Sequence, residues 1–364
     1  MRMRRRKERK RAILLLAGIG LLLGALCLGL WLWLSNLLPP QKEAERWQGE
    51  GDMAFSQISC FLPADKLIGL NDVAAFRNAM MAKLKDASLD INGDQRLMLD
   101  AWSTTTTLYT NGQHGRGEAR VIAVGGDFFE FHPLRLLSGD YIRQSDLMHD
   151  RILLSEEVAW LLFGGTNLQG MTLKLNGVPF LIAGVVEQEK DFASSEAIGD
   201  GMVVYMSYDG LLTLDDTAKL CCYEFVLAEP VKGFALTAAK EKFPLGGGEI
   251  VCNSTRFEYA KLMDLMLHYG TRGVQISGAI LPYWENAARM AEDWAGLCCM
   301  LGTLLLIFPG ITALMVLIQS LKRGKAKWEE ETWPEVRDRT EEAVRVRQRR
   351  RWERKQGKHE KKDA

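Results

Sequence analysis

An α+β domain carried between two membrane-spanning helices is the architecture expected from this sequence. Three observations point to it. Two long stretches lack any charged residue, the segments beyond them are basic, and the residues between them alternate β-branched runs with helical periodicities.

The 364-residue chain has 46 basic and 46 acidic side chains and so no formal net charge. That balance is uneven along the chain. Residues 1–12 hold eight Lys/Arg against Glu8, and residues 322–364 hold sixteen basic against ten acidic side chains, so the remainder is acidic. The partition and the two apolar stretches exclude a simple cytosolic globule. The 34 Gly follow no three-residue period, Pro is only 10 and Cys only 7, which excludes collagen-like, mucin-like and disulfide-scaffold chains.

No charge occurs from 12 to 38, and the segment 13–38 is assigned as the first transmembrane helix, after a basic tail at 1–12. Its core, 13–34, spans roughly 33 Å at about 1.5 Å per residue, enough for the hydrocarbon layer. The basic start resembles a signal peptide. The apolar run, however, exceeds the usual length of about 7–15 residues and ends in Trp31 and Trp33 without a small-x-small cleavage site, which makes it a retained anchor. The second span, 294–321, is interrupted by Pro309-Gly310, an interruption that membrane helices tolerate. Lys/Arg bias places both tails, 1–12 and 322–364, in the cytoplasm and 39–293 outside. Trp31, Trp33, Tyr283, Trp284 and Trp294 then fall at the outer interface.

Within 39–293, Pro39-Pro40 and residues 41–48 predict a short stalk helix. Residues 55–62 predict a buried strand. A helix to about Asp86 follows with Asn71 as N-cap, because Val73, Phe76, Met80, Met81 and Leu84 recur at helical spacing. Thr104 to Thr107 sit in a strand, Asn111-Gly112 turns, and 119–124 returns. The run VIAVGGDFFEF at 121–131 leads through Leu134, Leu136 and Leu137 to Ser138-Gly139. A helix after Ser155 stops at Gly164-Gly165, and a hairpin at 172–186 turns on Asn176-Gly177. Residues 223–228 and 249–253 predict strands around a helix at 231–242. Residues 256–267 are helical, and 282–293 form a stalk into the second span.

The ordered set DFF, the Leu-rich stretch closing at a Gly, the LSExxAxxLFG-type helix at 154–164, GxxLxLNG at 170–177 and the GVV strand at 184–186 resembles the extracytoplasmic core domain of MacB-like ABC transporter permeases, related to the LolC/LolE and FtsX groups. The resemblance is clearest over 119–187. It implies a ferredoxin-like α+β module with a mostly β insert at about 150–209. It also implies a separate ABC ATPase subunit or another permease subunit as partner, beside the lipid bilayer and a possible homo-oligomer.

The chain departs from that family in two ways. Family permeases carry three helices after the ectodomain, whereas the 26 charges of 322–364 leave room for one. No Gly-x4-Gly-Lys-Ser/Thr phosphate loop occurs, so ATP hydrolysis is expected from another polypeptide.

No residue is singled out as catalytic, cofactor-binding or metal-ligating. His114, His132, His149, His268 and His359 are scattered without zinc spacing. A calcium loop beginning at Asp90, Asn92 and Asp94 fails at Gln95 and Ala101, which favours a polar turn. Glu156-Glu157 and Asp215-Asp216 read as solvated surface, and Ser155 as a helix N-cap. Cys27, Cys298 and Cys299 pack in the spans. Cys60 or Cys252 is open to a bridge with the vicinal pair Cys221-Cys222, with reduced core thiols as the alternative. The basic tail at 345–362 suits anionic lipid or a cytoplasmic partner better than nucleic acid. The expected function is a permease-like component or accessory subunit of an ABC system in a bacterial cytoplasmic membrane, without ATPase activity of its own. The alternative is a membrane-anchored sensor or scaffold of the cell envelope.

Overall fold

A computed structural model describes residues 2–89, 96–146, 148–199, 201–269, 278–328 and 333–359. The calcium-loop residues 90–95 lie outside this set. In chain order come α1 (Arg2–Leu34), a 3-10 turn (Pro39–Lys42), α2 (Glu43–Gln48), β1 (Phe55–Phe61), α3 (Leu70–Asp86), β2 (Met98–Asn111), β3 (Arg116–Gly126), α4 (Phe128–Phe131) and β4 (Leu136–Gly139). Next follow β5 (Arg151–Ser155), α5 (Glu156–Phe163), β6 (Thr172–Leu175), β7 (Val178–Val186), α6 (Phe192–Ile198), β8 (Val203–Ser207) and α7 (Tyr208–Leu212). The chain continues through β9 (Cys222–Ala228), α8 (Phe234–Lys242), β10 (Glu249–Cys252), a 3-10 turn (Asn253–Thr255), α9 (Tyr259–Leu267), α10 (Tyr283–Lys327) and α11 (Trp333–His359).

The chain divides into a unit of Met1–Leu26 with Leu301–Ala364 and a unit of Cys27–Met300. The second contains the sheet, ordered β10-β1-β9-β2-β3-β8-β5-β7-β4, with β6 pairing β2 and β7. Its first four strands are antiparallel. Together with α3 and α8 they form the βαββαβ circuit of a ferredoxin-like module. β1 and β9 are buried along their whole length, as expected of inner strands in a covered sheet. Phe76 of α3 packs edge-on against Tyr223, Phe225 and Phe243, which fastens the helix to β9.

Everything from β3 to α7 is interpolated between β2 and β9. The expected insert, 150–209, is therefore the later part of a longer excursion, because β3 forms a long hairpin with β2 and extends the same sheet. Two parallel pairs, β3 with β8 and β5 with β7, occur within it. The β6–β7 hairpin turns on Asn176 (φ 48°) and Gly177 (φ 86°), the positive-φ geometry such a turn needs. Asn176 also docks on β2: its Oδ1 accepts from the Tyr109 amide at 2.9 Å and its own amide donates to the Tyr109 carbonyl at 2.8 Å.

One local expectation is corrected, and a second holds only in part. Gly69, not Asn71, occupies the N-cap of α3, and its amide donates to Asp72 Oδ2 at 2.9 Å, so the acidic residue one position later does the capping. Ser155 has N-cap backbone geometry, but its hydroxyl is buried without a hydrogen-bond partner. Ser155 therefore holds the cap position without a side-chain bond to the helix. The stalk and second span form one unbroken helix that continues through Pro309. In the unit holding the outer segments, a Cβ on Gly20 would lie 3.1 Å from the Pro309 ring, so a small residue lets the two helices approach there. The two helices, over Glu8–Leu34 and Tyr283–Ala326, are long and apolar enough to cross a membrane.

Candidate functional site

The first turns of α10 pair small residues with two charges. Ala287, Ala288 and Ala291 are buried against Leu38 and Ala193, and Glu285 is 1% exposed beside them. A carboxylate so placed needs a partner. Arg256, just after β10 and its 3-10 turn, supplies it in a bidentate fork: Nη1 donates to Glu285 Oε2 at 2.9 Å and Nη2 to Oε1 at 2.5 Å. The same guanidinium reaches Glu292 Oε2 through Nε at 3.0 Å and Gln41 Oε1 through Nη1 at 2.9 Å. Arg289 donates to Glu285 at 2.7 Å and to Glu249 of β10. Burial works against the charge on Arg256, but Glu285 and Glu292 outweigh it and push its pKa up.

A second set of polar contacts closes a circuit through the sheet. Asn253 Nδ2 donates to Ser59 Oγ of β1 at 2.8 Å, Ser59 donates to Glu224 Oε1 of β9 at 2.8 Å, and Glu224 Oε2 meets His132 Nε2 at 2.7 Å. The His132 ring lies against Phe128 and against Trp284 of α10, with centroids at 4.4 and 4.5 Å. The route thus leaves α10 at Glu285 and returns to it at Trp284. Tyr283 adds a third tie, its hydroxyl 3.0 Å from that of Tyr205 on β8, and burial pushes both phenols up. On the other side, Gln57 of β1 donates to the Pro40 carbonyl at 2.7 Å and accepts the Glu43 amide at 2.9 Å, holding the segment that follows α1.

This arrangement ties the segments on either side of the sheet to its strands. The segment after α1 is bonded to β1 through Gln57, and the start of α10 reaches the same strand through Arg256, whose Nη1 lies 3.5 Å from Asn253 Oδ1, and then through Asn253 and Ser59. The sequence expectations are not gathered here. His149 lies 3.9 Å from Asp209, and His268 3.2 Å from Asp264, at separate places. Glu156 faces Lys190 at 3.6 Å, and Asp215 accepts from the Thr217 hydroxyl at 2.6 Å. Among the described residues no group of three His, Cys, Asp or Glu is placed to hold a metal ion. All seven cysteines are free, and burial pushes the Cys60 and Cys222 thiols well up. Sequence reasoning passed over Arg256, Glu285 and Glu224, and weighed His132 only as one of five scattered histidines. A usable signal was present in Glu224, a lone acid inside the apolar run of β9.

Residues 65–243 match the family model of the MacB-like periplasmic core domain. This region is a MacB-like periplasmic core domain. The match takes in α3, β2, the whole interpolated segment with His132, β9 with Glu224, and α8, while β1, β10, Arg256 and α10 lie beyond its edges. Solved structures similar to the chain include the extracellular domain of the noncanonic ABC-type transporter YknZ from Gram-positive bacteria, with 14% identity and TM-score 0.38 over 54% of this chain and 98% of that one. Another is the periplasmic region of MacB from Actinobacillus actinomycetemcomitans, with 16% identity and TM-score 0.38 over 55% of this chain and 89% of that one. A third is a domain of a putative permease protein from Porphyromonas gingivalis, with 12% identity and TM-score 0.30 over 52% and 83%. The comparison with curated proteins gives no match. In this chain the MacB-like core domain is flanked by the two apolar helices, an arrangement suited to a membrane protein with an extracytoplasmic domain.

Proposed function

We propose that this chain is a permease-like component or accessory subunit of an ABC transport system, with both termini cytoplasmic and the core domain outside. Its work is to carry motion between the membrane helices and the core domain, driven by a separate ATPase subunit. The observation that supports this most is the Arg256–Glu285 fork, which ties α10 to the segment just after β10 through buried charge-assisted bonds rather than through a flexible linker. The sequence holds no Gly-x4-Gly-Lys-Ser/Thr phosphate loop, which supports a partner as the source of ATP turnover.

The test is reconstitution of the full chain in liposomes, alone and with whatever ATPase copurifies from detergent. ATP turnover or transport appearing only with the partner is the expected result. Turnover by the chain alone refutes the assignment, and a chain that copurifies with envelope proteins and no ATPase supports the sensor or scaffold reading instead. Arg256→Gln should reduce the coupling of partner ATPase activity to transport while leaving complex formation intact.

A further inference from the structure

A cavity of about 710 Å³ lies between the end of α9 and one face of α10. That volume is within the range of small-molecule sites, about 300–1,000 Å³. Met266 and Tyr269 form one wall. The other wall changes character along the helix. Asn286, Arg289 and Asp293 with Met290 line its first part, and Trp294, Leu297 and Met300 line the rest. These positions recur at three- and four-residue spacing and so share one face, over roughly 21 Å from Asn286 to Met300. The last charged residue on this wall is Asp293, and the charge-free segment begins at Trp294.

The depth of α9 is set independently. Leu262 is fully buried with Leu34, Ala295 and Cys299, all within the apolar ends of the two long helices. Gly296 makes this approach possible, since a Cβ there would lie 2.9 Å from Met266 Cε. On the helical wheel Lys261, Asp264 and His268 share one side, while Tyr259, Met263 and Leu267 fall opposite, with Leu267 76% exposed. A short amphipathic helix held at the edge of a hydrocarbon layer lies in the interface with its apolar side in lipid. Leu267 and the half-exposed Trp294 would otherwise hold apolar surface in water, at about 25 cal/mol per Å².

We propose that this cavity is a binding site for one acyl chain of an outer-leaflet phospholipid, with the headgroup at the level of Asn286. The chain runs along Trp294, Leu297 and Met300 under Met266. Arg289 already serves Glu285 and Glu249, so the site selects the apolar chain rather than an anionic headgroup. This rests on the reading of α10 as a span with the core domain outside.

The test uses the full chain in nanodiscs of phosphatidylethanolamine and phosphatidylglycerol, doped with a phosphatidylcholine carrying a diazirine on one acyl chain. After photolysis, labelled residues are located by peptide mass spectrometry. Label on Met266, Leu297 or Met300 should saturate at a low fraction of photolipid, while label on the exposed Leu21 and Leu22 rises in proportion to it. Leu297→Trp, which fills the cavity, should cut Met266 label by about tenfold without changing Leu21 and Leu22. Label on Leu21 and Leu22 with none, or only proportional label, at the cavity overturns the site and leaves the membrane reading standing. No label on Leu21 and Leu22 either overturns both. Should Leu297→Trp fail to enter discs, saturation in the unaltered protein decides the question.

Discussion

Arg256 and Glu285 are 3% and 1% exposed at their side chains, and each holds the other's charge inside the domain. Removing one partner strands the other, which typically costs 3–5 kcal/mol, whereas replacing both by apolar residues of similar volume costs little. Arg256→Met should therefore destabilise the protein by about 3 kcal/mol, the lower end because Arg289 remains beside Glu285, and adding Glu285→Leu should restore much of the loss. Thermal unfolding of the full chain in detergent measures both. Glu43 gives a pH signature. Burial raises its carboxyl to about 7 from 4.5, with Arg46 and His132 pulling it down and Glu130 pushing it up. The folded protein thus holds this proton more tightly than the unfolded chain does, so stability should fall as pH rises from about 4.5 to about 7. Glu43→Gln should flatten that part of the profile, by on the order of 1–3 kcal/mol.

At the scale of elements, local pattern and close approach both contribute. The helices and strands follow apolar spacing, and the hairpin of β6 and β7 follows its Asn-Gly turn. Close approach is different in kind. Gly139 ends β4 at φ 77°, and a Cβ there would overlap the Ala183 carbonyl on β7, so both backbone angle and space require glycine. Gly139→Ala should cost about 2–4 kcal/mol, against less than about 0.5 for Gly165→Ala, where nothing lies within 4 Å of a new Cβ. Chemical denaturation of the two variants side by side checks the contrast. The sequence marks both residues equally as turn glycines. Their difference arises from Ala183 of β7, which is more than forty residues from Gly139 along the chain and adjacent to it in space.

For the whole molecule, the arrangement to be tested is two spans with basic tails inside. Reporter fusions at Lys10 and Lys358 should give a cytoplasmic signal and a fusion near Asp191 an external one; an external C-terminus would refute this topology. The ferredoxin-like circuit, order β10-β1-β9-β2, brings Ser59 beside Glu224 although they are 165 residues apart, and so builds the polar route from Asn253 to His132. Ser59 is an ordinary strand serine, and the lone acid of β9 signals that a partner exists without saying which residue it is.

Composition was enough to establish two charge-free helices and a domain of alternating strands and helices between them, because burial in lipid and burial on one face of a helix or strand are properties of short runs. An ordered set of short motifs also sufficed to point to a MacB-like core. The continuation of β3 to α7 within the same sheet, the four-way bonding of Arg256 and the cavity under Met266 were legible nowhere in the chain. Each depends on residues brought together from distant segments, and no local run records which strand will lie beside which, or which buried charge will find its counter-charge.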